Sequence, residues 1–443
     1  GVQTCALPIL SVSTTSNLGA NVTTSSTQTY TGAVTLSVDT TLTTTNSNVT
    51  FSSTVDSDAA LTKRDLTLTL GSGSATFSGI VGSTTLADMT LNSSATFAAA
   101  VTADNLTIAA SKTATVKDDV TIASTIALSG SSTLEVLNAS TMTIAGTISD
   151  TGTGNTISVN DSDASAAPSE VTFSGTVAAD TLTIGSATTA GKAKFTGSGG
   201  VTIASVTVTG GNHADEDATA TFNYALTSTA ITLDDNTGSA YLIFAADNSV
   251  TIAGTIDGGS SGEGNLIVSG QTKTFSGNVG GTNPLNFIVQ ASAVFNGTLE
   301  ATNTTIEADF SAPSLVISGD ITINANITTT GIQTYQGAVT VGSNITLTTT
   351  NSAITFNSTV DSETSETNNL TLAVGSSAVE FNGLVGNTVG LGVISITGGL
   401  NLDAAIVSAT SLDVSTTSDI AANITTTGTD RKSTRLNSSH QII

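Results

Sequence analysis

The side chains that could support catalysis are few, and the most suggestive group lies in one acidic segment. His213, one of two histidines in the chain, stands in Gly210–Ala218 together with Asp215, Glu216 and Asp217. A Ser–His–Asp triad would have to use His213, and the segment lacks the ligand spacing of a zinc site. We interpret it as a solvated loop between strands rather than as a catalytic or metal site.

Carboxylates are more numerous, and three clusters could offer oxygen ligands to calcium. The clusters are Asp161-Ser162-Asp163, Asp234-Asp235 and Asp361-Ser362-Glu363. The glycine-rich calcium nonapeptide and the EF-hand spacing are both missing from the sequence. Ordinary turn chemistry of Asp and Ser is therefore the favoured interpretation, with weak calcium binding as the alternative. The sequence assigns no catalytic, cofactor-binding or metal-binding residue.

Two further local signals are weaker. Lys63-Arg64-Asp65 is an isolated charge cluster, which we interpret as the exposed tip of a loop. Asn-x-Ser/Thr sequons occur at Asn21, Asn48 and Asn92, for example. A chain so rich in Asn, Ser and Thr produces such sequons by chance, and glycosylation needs a suitable host.

The two ends of the chain differ from everything between them. Residues 1–9 read GVQTCALPI, and the tail from Asp430 begins DRKSTRLNS. The DNA string GGAGTTCAGACGTGTGCTCTTCCGATC encodes the first peptide, and its reverse complement encodes the second. We therefore interpret residues 1–9 and 430–443 as translated sequencing adapter and exclude them from the fold. The remainder, 10–429, has seven Lys and Arg against 33 Asp and Glu, a formal net charge of −26.

The composition points to a β protein with an uncharged surface. Charged residues make up 10% of the chain, Trp is absent and Pro occurs four times, whereas Thr and Val suit strands. Phosphate recognition needs clustered Lys and Arg, so the acidic balance argues against a nucleic-acid partner. No apolar stretch reaches the length of a membrane-spanning segment.

Repeats occur on a long scale. Ala20–Ser57 and Ala325–Ser362 are identical at 25 of 38 positions without a gap. A three-residue landmark, Phe-Ser/Asn-Gly, recurs along the chain. It stands at Phe77, Phe173, Phe275 and Phe381, at spacings of 96, 102 and 106 residues. The chain therefore contains a four-fold super-repeat, with roughly 100 residues in each copy.

A shorter repeat decides the fold class. Aromatic residues advance by 20 to 22 residues, as from Tyr30 to Phe51 and from Phe77 to Phe97, with occasional steps of 25 or 26. Tandem sandwiches give no reason for such steps, whereas a solenoid stacks one ring per coil in its interior. Segments such as Asp65–Leu70 alternate apolar and polar residues, as strands do. We predict an all-β, right-handed parallel β-helix with about 20 residues per coil, continuous over 10–429.

These repeats resemble a known class of protein. The segment ITTTGIQTYQGAVTVGSNITLTTTNSAITFNSTVDS, followed by NLTLAVGSSAVEFNGLVG, is similar to strand-repeat regions of filamentous-haemagglutinin-like and autotransporter-type bacterial adhesins. The resemblance implies a non-enzymatic stalk or adhesive segment on the bacterial outer surface or outside the cell. It implies host-cell or matrix glycans or proteins as partners, and it offers no catalytic motif or cofactor to place on this chain.

Two other functions compete with this expectation. A carbohydrate-active β-helix enzyme would need Asp, Lys and Arg clustered in a groove, which the scarcity of basic residues disfavours. An ice- or surface-binding solenoid would need a regular Thr array in every coil. Thr-x-Thr recurs at Thr27-Gln28-Thr29 and Thr67-Leu68-Thr69, but the motif is irregular in sequence and the coil length varies.

Overall fold

The computed structural model of the chain describes residues 9–138, 140–161, 168–245, 249–428 and 431–432. Within these residues all regular structure is β-strand, and no helix is present. The strands pair in parallel and build a β-solenoid of about 19 turns, with roughly 21 residues in each turn. The predicted all-β parallel solenoid, including its coil length, is confirmed, whereas the right-handed sense of the coil stays a prediction.

The chain divides into two compact units, each described by itself. Unit 1 comprises Gly1–Thr229 and Asp235–Ala240, and unit 2 comprises Ala230–Asp234 and Tyr241–Ile443. Strands β24 (Leu226–Asp234) and β25 (Ala240–Phe244) contain residues of both units.

Most of the predicted adapter-encoded ends lies outside the described residues. The exceptions are Ile9 and a short strand, Arg431–Lys432, which pairs in parallel with Asp413 and Val414. The interpretation of 1–9 and 430–443 as translated adapter stays a prediction.

The other strands of unit 1 are short in the first coils and longer afterwards. They are β1 (Leu10–Val12), β2 (Ser16–Leu18), β3 (Val22–Thr23), β4 (Gln28–Tyr30), β5 (Val34–Leu36), β6 (Thr40–Thr43), β7 (Val49–Phe51), β8 (Val55–Ser57), β9 (Leu66–Thr69), β10 (Ala75–Phe77), β11 (Val81–Leu91), β12 (Ala95–Phe97), β13 (Val101–Ile108), β14 (Thr113–Val116), β15 (Val120–Leu128), β16 (Thr133–Asn138), β17 (Met142–Asp150), β18 (Thr156–Asp161), β19 (Glu170–Phe173), β20 (Val177–Ile184), β21 (Lys192–Phe195), β22 (Val201–Thr209) and β23 (Ala218–Phe222).

Unit 2 continues with strands of the same kinds. They are β26 (Val250–Gly258), β27 (Asn265–Val268), β28 (Lys273–Phe275), β29 (Leu285–Val289), β30 (Ala293–Phe295), β31 (Leu299–Ile306), β32 (Phe310–Ala312), β33 (Leu315–Ile317), β34 (Ile321–Ile323), β35 (Ile327–Thr329), β36 (Gln333–Tyr335), β37 (Val339–Val341), β38 (Ile345–Thr349), β39 (Ile354–Phe356), β40 (Val360–Ser362), β41 (Leu370–Phe381), β42 (Leu391–Leu402), β43 (Ile406–Val414), β44 (Ser418–Ile420), β45 (Ile424–Thr426) and β46 (Arg431–Lys432).

Each early coil of unit 1 contributes one strand to each of three sheet faces. β1, β2 and β3 pair with β4, β5 and β6, which pair in turn with β7, β8 and β9. From β11 onward one longer strand serves two faces, since Val81 pairs with Val55 of β8 while Met89 pairs with Leu66 of β9. Face 1 consists of β1, β4, β7, β10, β12, β14, β16, β18 and the second halves of β20 and β22. Face 2 consists of β2, β5, β8, the first halves of β11, β13, β15 and β17, and then β19, β21 and β23. The third face contains β3, β6, β9 and the second halves of β11, β13, β15 and β17.

Inward residues of face 1 stack into one apolar column. Aromatic rings begin the column, and their centroids lie 5.2, 4.7 and 4.8 Å apart in nearly parallel planes, which matches the spacing of adjacent strands. Every residue in the column is at most 1% exposed. The column is Tyr30, Phe51, Phe77, Phe97, Val116, Val136, Val159, Ile184 and Val208.

A second ring stack of unit 1 occupies another face. Phe173, Phe195 and Phe222 stack at 4.9 and 4.7 Å. They continue the face 2 column that begins with Val34, Val55, Val81, Val101, Val120 and Ile144. The predicted stacking of rings is confirmed within each group, but Phe77 and Phe173 lie in different columns. Each column needs only a close-packed apolar side chain, so Val or Ile replaces the ring in one face while rings enter the other.

Unit 2 shows the same change of face. Tyr335, Phe356 and Phe381 stack at 5.0 Å in a column that continues to Leu402. Phe275 and Phe295 stack at 4.7 Å in strands β28 and β30, and this face continues to β32 and β35. Tyr335 belongs to β36, which follows β33 on a different face.

The glycine of the Phe-Ser/Asn-Gly landmark lies where adjacent coils approach closely. A Cβ atom at Gly175 would lie 1.9 Å from the carbonyl oxygen of Gly146, and one at Gly383 would lie 2.1 Å from that of Ser358. Such distances are far inside van der Waals contact, so the landmark marks a corner that excludes every side chain.

Candidate functional site

The outward side of face 1 carries two parallel columns of polar side chains, because inward and outward residues alternate along a strand. The first column is Thr27, Asn48, Ser74, Ser94, Thr113, Thr133, Thr156, Thr181 and Ser205. The second column, two residues later in each coil, is Thr29, Thr50, Thr76, Thr96, Thr115, Glu135, Ser158, Thr183 and Thr207. We call these eighteen residues the hydroxyl face, since all but Asn48 and Glu135 are Ser or Thr.

The hydroxyl face is a regular two-dimensional grid. Adjacent coils are separated by the strand spacing of about 4.8 Å, and the two columns by two residues of parallel strand, or roughly 6.6 Å. Within the described part of the chain, the hydroxyls of Thr29, Thr50, Thr76 and Thr96 make no hydrogen bond. The Thr115 hydroxyl donates to Oε2 of Glu135 at 2.6 Å. Most hydroxyls of the grid therefore keep their full capacity to bond groups outside the protein.

Variation in coil length leaves the grid intact. The step from Thr50 to Thr76 is 26 residues and the step from Thr76 to Thr96 is 20, yet all three residues are in register. The extra residues of the longer coil lie in the segment 58–65, between β8 and β9. Face 1 is regular because the insertions lie at other corners of the coil.

Charged side chains concentrate on other faces. Glu170, Lys192 and Lys194 project from neighbouring strands of face 2, and Lys194 Nζ lies 3.8 Å from Glu170 Oε1. Glu135 is the one charged residue of the hydroxyl face. The grid is thus almost neutral on a strongly acidic chain.

The two Thr-x-Thr segments singled out in the sequence lie on different faces. Thr27-Gln28-Thr29 belongs to the hydroxyl face, with Gln28 pointing inward. Thr67 belongs to a third face, in the outward column Thr41, Thr67, Thr90, Thr107, Ala127 and Ser149. Ala127 interrupts that column, and Asn48, Glu135 and several Ser residues interrupt the Thr-x-Thr repeat of face 1, so the motif is irregular on both faces, as expected. The regularity of face 1 lies in its hydroxyl groups rather than in Thr alone.

The acidic loop around His213 is arranged around its own backbone. Glu216 is 1% exposed, and its Oε2 atom accepts a 3.1 Å hydrogen bond from the His213 amide and lies 3.4 Å from His213 Nδ1. Asp217 Oδ1 accepts a 2.8 Å bond from the Ser239 amide. His213 and Asp215 are exposed as expected, whereas the interpretation of the whole segment as solvated is wrong for Glu216.

Acidic side chains accept hydrogen bonds from backbone amides, either of the next coil or of their own loop. Asp361 Oδ1 accepts from the amides of Thr388 at 2.8 Å and Val389 at 3.3 Å. Asp235 Oδ1 accepts from Ala240, and Asp161 Oδ2 accepts from Ser169. Ser162 and Asp163 of the first cluster lie outside the described residues.

The sequon asparagines take part in the same pattern. Asn21 Oδ1 accepts from the Thr41 amide at 2.8 Å, and Asn48 Oδ1 accepts from the Ser74 amide at 3.0 Å. Asn92 donates to the Thr69 hydroxyl at 3.3 Å. These side chains therefore join neighbouring coils.

The Lys63-Arg64-Asp65 cluster is on a loop, but its charges are paired. Lys63 Nζ lies 2.5 Å from Asp104 Oδ1, and the Arg64 guanidinium makes two bonds to Asp58, at 2.8 and 3.1 Å. The hydrogen bond from Arg64 lowers the pKa of Asp58. The fully exposed tip of the loop is Leu61 instead, so the prediction of an exposed charged tip is wrong in its residues.

Sequence reasoning missed several polar side chains of the interior, such as Gln28 and Lys273, which are fully buried. Tyr30 is fully buried too, as its place in the aromatic repeat predicts. Burial raises the pKa of Tyr30 to about 12, and Lys273 donates to the carbonyl oxygen of Gln271. Their inward positions follow from strand alternation once a neighbouring Phe or Tyr is assigned to the interior.

No group of three or more His, Cys, Asp and Glu side chains within the described residues could hold a metal ion. Nor does the described part of the chain contain a helix long and apolar enough to cross a membrane. Comparison of the chain with protein-family profiles, curated proteins and solved structures gave no match.

Proposed function

We propose that the chain is a non-enzymatic structural and adhesive segment of a long exported bacterial surface protein, of the filamentous-haemagglutinin-like or autotransporter type. In this proposal it works outside the cell or on the outer surface. The observation that supports the proposal is the hydroxyl face, which repeats one polar surface over nine coils. A repeated surface suits many weak contacts with an extended partner, because linked contacts raise the effective concentration of one another.

The partners that suit this surface are neutral glycans or proteins of a host cell or matrix. A net charge of −24 disfavours nucleic acid and anionic membranes, which attract basic surfaces. The hydroxyl groups can both donate and accept hydrogen bonds. Binding in this proposal is lateral, along face 1.

A carbohydrate-active enzyme is less well supported. A groove in unit 2 is lined by Asn265, Asn286, Asn303, Thr305 and Asp320, among others. Its amides bond one another, since Asn286 Nδ2 donates to Asn265 Oδ1 and Asn303 Nδ2 donates to Asn286 Oδ1. General acid–base chemistry needs a titratable pair within reach of the substrate, and this lining supplies one carboxylate.

The proposal is tested with beads that carry the full chain. Coated beads are expected to be retained on host-cell monolayers or on glass coated with neutral dextran, and to lose retention when Thr76, Thr115 and Thr156 are replaced by Lys. Equal retention of wild-type and variant beads would contradict an adhesive role for face 1. Release of unsaturated sugars from pectate or alginate by the chain would contradict the non-enzymatic part.

A further inference from the structure

We infer that the hydroxyl face binds ice. The inference goes beyond the proposed adhesive function and assigns to the same surface a partner other than glycans and proteins. It follows from four properties of the face: periodicity, neutrality, the absence of rings and rigidity.

Periodicity is the first property. The grid repeats at about 4.8 Å across coils and at roughly 6.6 Å along the strands, over the nine coils from Thr29 to Thr207. Each Ser or Thr hydroxyl can donate one hydrogen bond and accept two. A fixed two-dimensional net of such groups can hold water oxygens in a matching net, which a disordered partner would not exploit.

Neutrality is the second property. The chain has 34 acids and ten basic residues, yet the hydroxyl face contains one charged side chain, Glu135. Ions are expelled from a growing ice lattice together with their hydration shells, so a surface complementary to ice has to be uncharged. The outward residues of face 2 differ, because Glu170, Lys192 and Lys194 are charged.

The absence of rings separates ice from crystalline polysaccharide. Protein surfaces that grip sugars commonly stack aromatic rings on them, because a ring offers a large apolar face together with a polar edge. The rings of face 1, from Tyr30 to Phe97, are at most 1% exposed and point inward. The outward side offers Thr methyl groups and hydroxyls alone, with one amide and one carboxylate.

Rigidity is the fourth property. The column behind the grid is close-packed from Tyr30 to Val208, and the strands of successive coils are paired in parallel throughout it. A surface that is ordered before binding loses little conformational entropy when it meets a solid. Many individually weak water-mediated bonds can then add up along the face.

The experiment uses the full chain, labelled at its single cysteine, Cys5. Ice is grown slowly from a dilute solution, and the labelled protein is measured in the ice and in the liquid. The face variant carries Thr96→Tyr and Thr183→Tyr, which place bulky rings on the grid. The matched control carries Thr67→Tyr and Thr107→Tyr on the third face, and circular dichroism checks that both variants keep the β structure of the wild type.

The wild type and the control variant are expected to enter the ice and to slow its recrystallisation, whereas the face variant stays in the liquid. Exclusion of the folded wild type from ice would overturn the inference, and so would equal uptake of both variants. Retention on crystalline cellulose combined with exclusion from ice would mean that the hydroxyl face binds polysaccharide rather than ice. That outcome overturns ice binding but leaves the adhesive function standing, while failure of the bead assay with uptake into ice would remove the host-cell role alone.

Discussion

The phenol of Tyr335 donates a 2.9 Å hydrogen bond to Oε1 of Gln333, and both side chains are fully buried. Gln333 Nε2 donates in turn to the Thr348 carbonyl at 3.0 Å and to the Thr329 hydroxyl at 3.3 Å. The corresponding bond from Tyr30 to Gln28, 305 residues earlier, is 3.1 Å. Both long repeats therefore begin their ring stack with the same satisfied polar cluster.

Removing the acceptor should expose the cost of burying a phenol. We expect Gln333→Leu to lower the free energy of unfolding by about 1–3 kcal/mol, because the Tyr335 hydroxyl is left without a partner. The double variant Gln333→Leu with Tyr335→Phe should recover part of that loss. Urea unfolding of the two single variants and the double variant measures the coupling, and strictly additive losses would argue against a shared cluster.

The same phenols predict a loss of stability in alkali. Burial raises the pKa of Tyr30 from its ordinary value of 10.0 to about 12, and it also raises the pKa of Tyr335. The folded state thus holds the phenolic proton more tightly than the unfolded state does. This contribution is complete below pH 10 and is lost as the pH rises from 10 to about 12.

The measurement is the urea midpoint as a function of pH for the wild type and for Tyr30→Phe with Tyr335→Phe. The wild type should lose more stability than the double variant above pH 10. Ionisation of all four tyrosines at the ordinary value in the folded protein, seen by ultraviolet absorbance, would contradict the prediction.

Substitutions at inward positions should lower the free energy of unfolding far more than substitutions at outward positions. Phe77 is fully buried between the rings of Phe51 and Phe97, at 4.7 and 4.8 Å, so Phe77→Asp should cost about 4 kcal/mol or more by burying an unpaired charge. Thr67→Ser changes an outward side chain and should cost well below about 1 kcal/mol. Thermal midpoints of the two variants check the assignment, which equal losses would refute.

The interior rings are predictable because local alternation, as at Val49-Thr50-Phe51, sets which side chains face inward. The coil length is predictable because the rings recur at a nearly constant step. The change of column between Phe97 and Phe173 depends on which corner absorbs each insertion, and residue spacing does not reveal that corner. The hydroxyl face escaped detection for the same reason. Ser74-x-Thr76 and Thr113-x-Thr115 become one grid only when the register of their coils is known.

Alternation with the neighbouring rings predicts inward positions for Gln28 and Lys273, but the polar character of these side chains argues against burial. Polar residues at alternating positions usually face water, and only the tertiary partners of these two satisfy them inside. The repeat of Gln-Thr-Tyr in Ala20–Ser57 and Ala325–Ser362 was a usable signal, since the same triplet precedes the same ring stack twice.

Replacing a glycine of the Phe-Ser/Asn-Gly landmark by alanine should destabilise the fold. A Cβ at Gly383 would lie 2.1 Å from the Ser358 carbonyl oxygen, so Gly383→Ala should force adjacent coils apart and lower the thermal midpoint. At Gly130 the nearest atoms to a new Cβ are 4.0 Å away, which makes Gly130→Ala the matched control. If the two variants have the same thermal midpoint, the close approach of adjacent coils is not the reason for the glycine in the landmark.

The aspartates that accept hydrogen bonds from the next coil should stabilise the solenoid without calcium. Asp361 Oδ1 accepts two amide hydrogen bonds, and Asp56 Oδ1 accepts one from Thr84 at 2.9 Å in the equivalent coil of unit 1. We expect Asp361→Ala and Asp56→Ala each to cost about 1–2 kcal/mol, because amides of the next coil lose their acceptor. Asp403 is exposed and its carboxylate makes no hydrogen bond within the described residues, so Asp403→Ala should be close to neutral.

Calcium separates this account from a metal site at Asp361-Ser362-Glu363. A ligand that binds only the folded state raises its stability by mass action, whereas carboxylates already engaged by backbone amides offer calcium little. The thermal midpoint of the wild type should therefore be the same with calcium and with chelator. A thermal midpoint that rises with calcium in the wild type but not in Asp361→Ala would instead mean that Asp361 helps to bind the ion. Its hydrogen bonds to backbone amides would then contribute less to stability than calcium binding does.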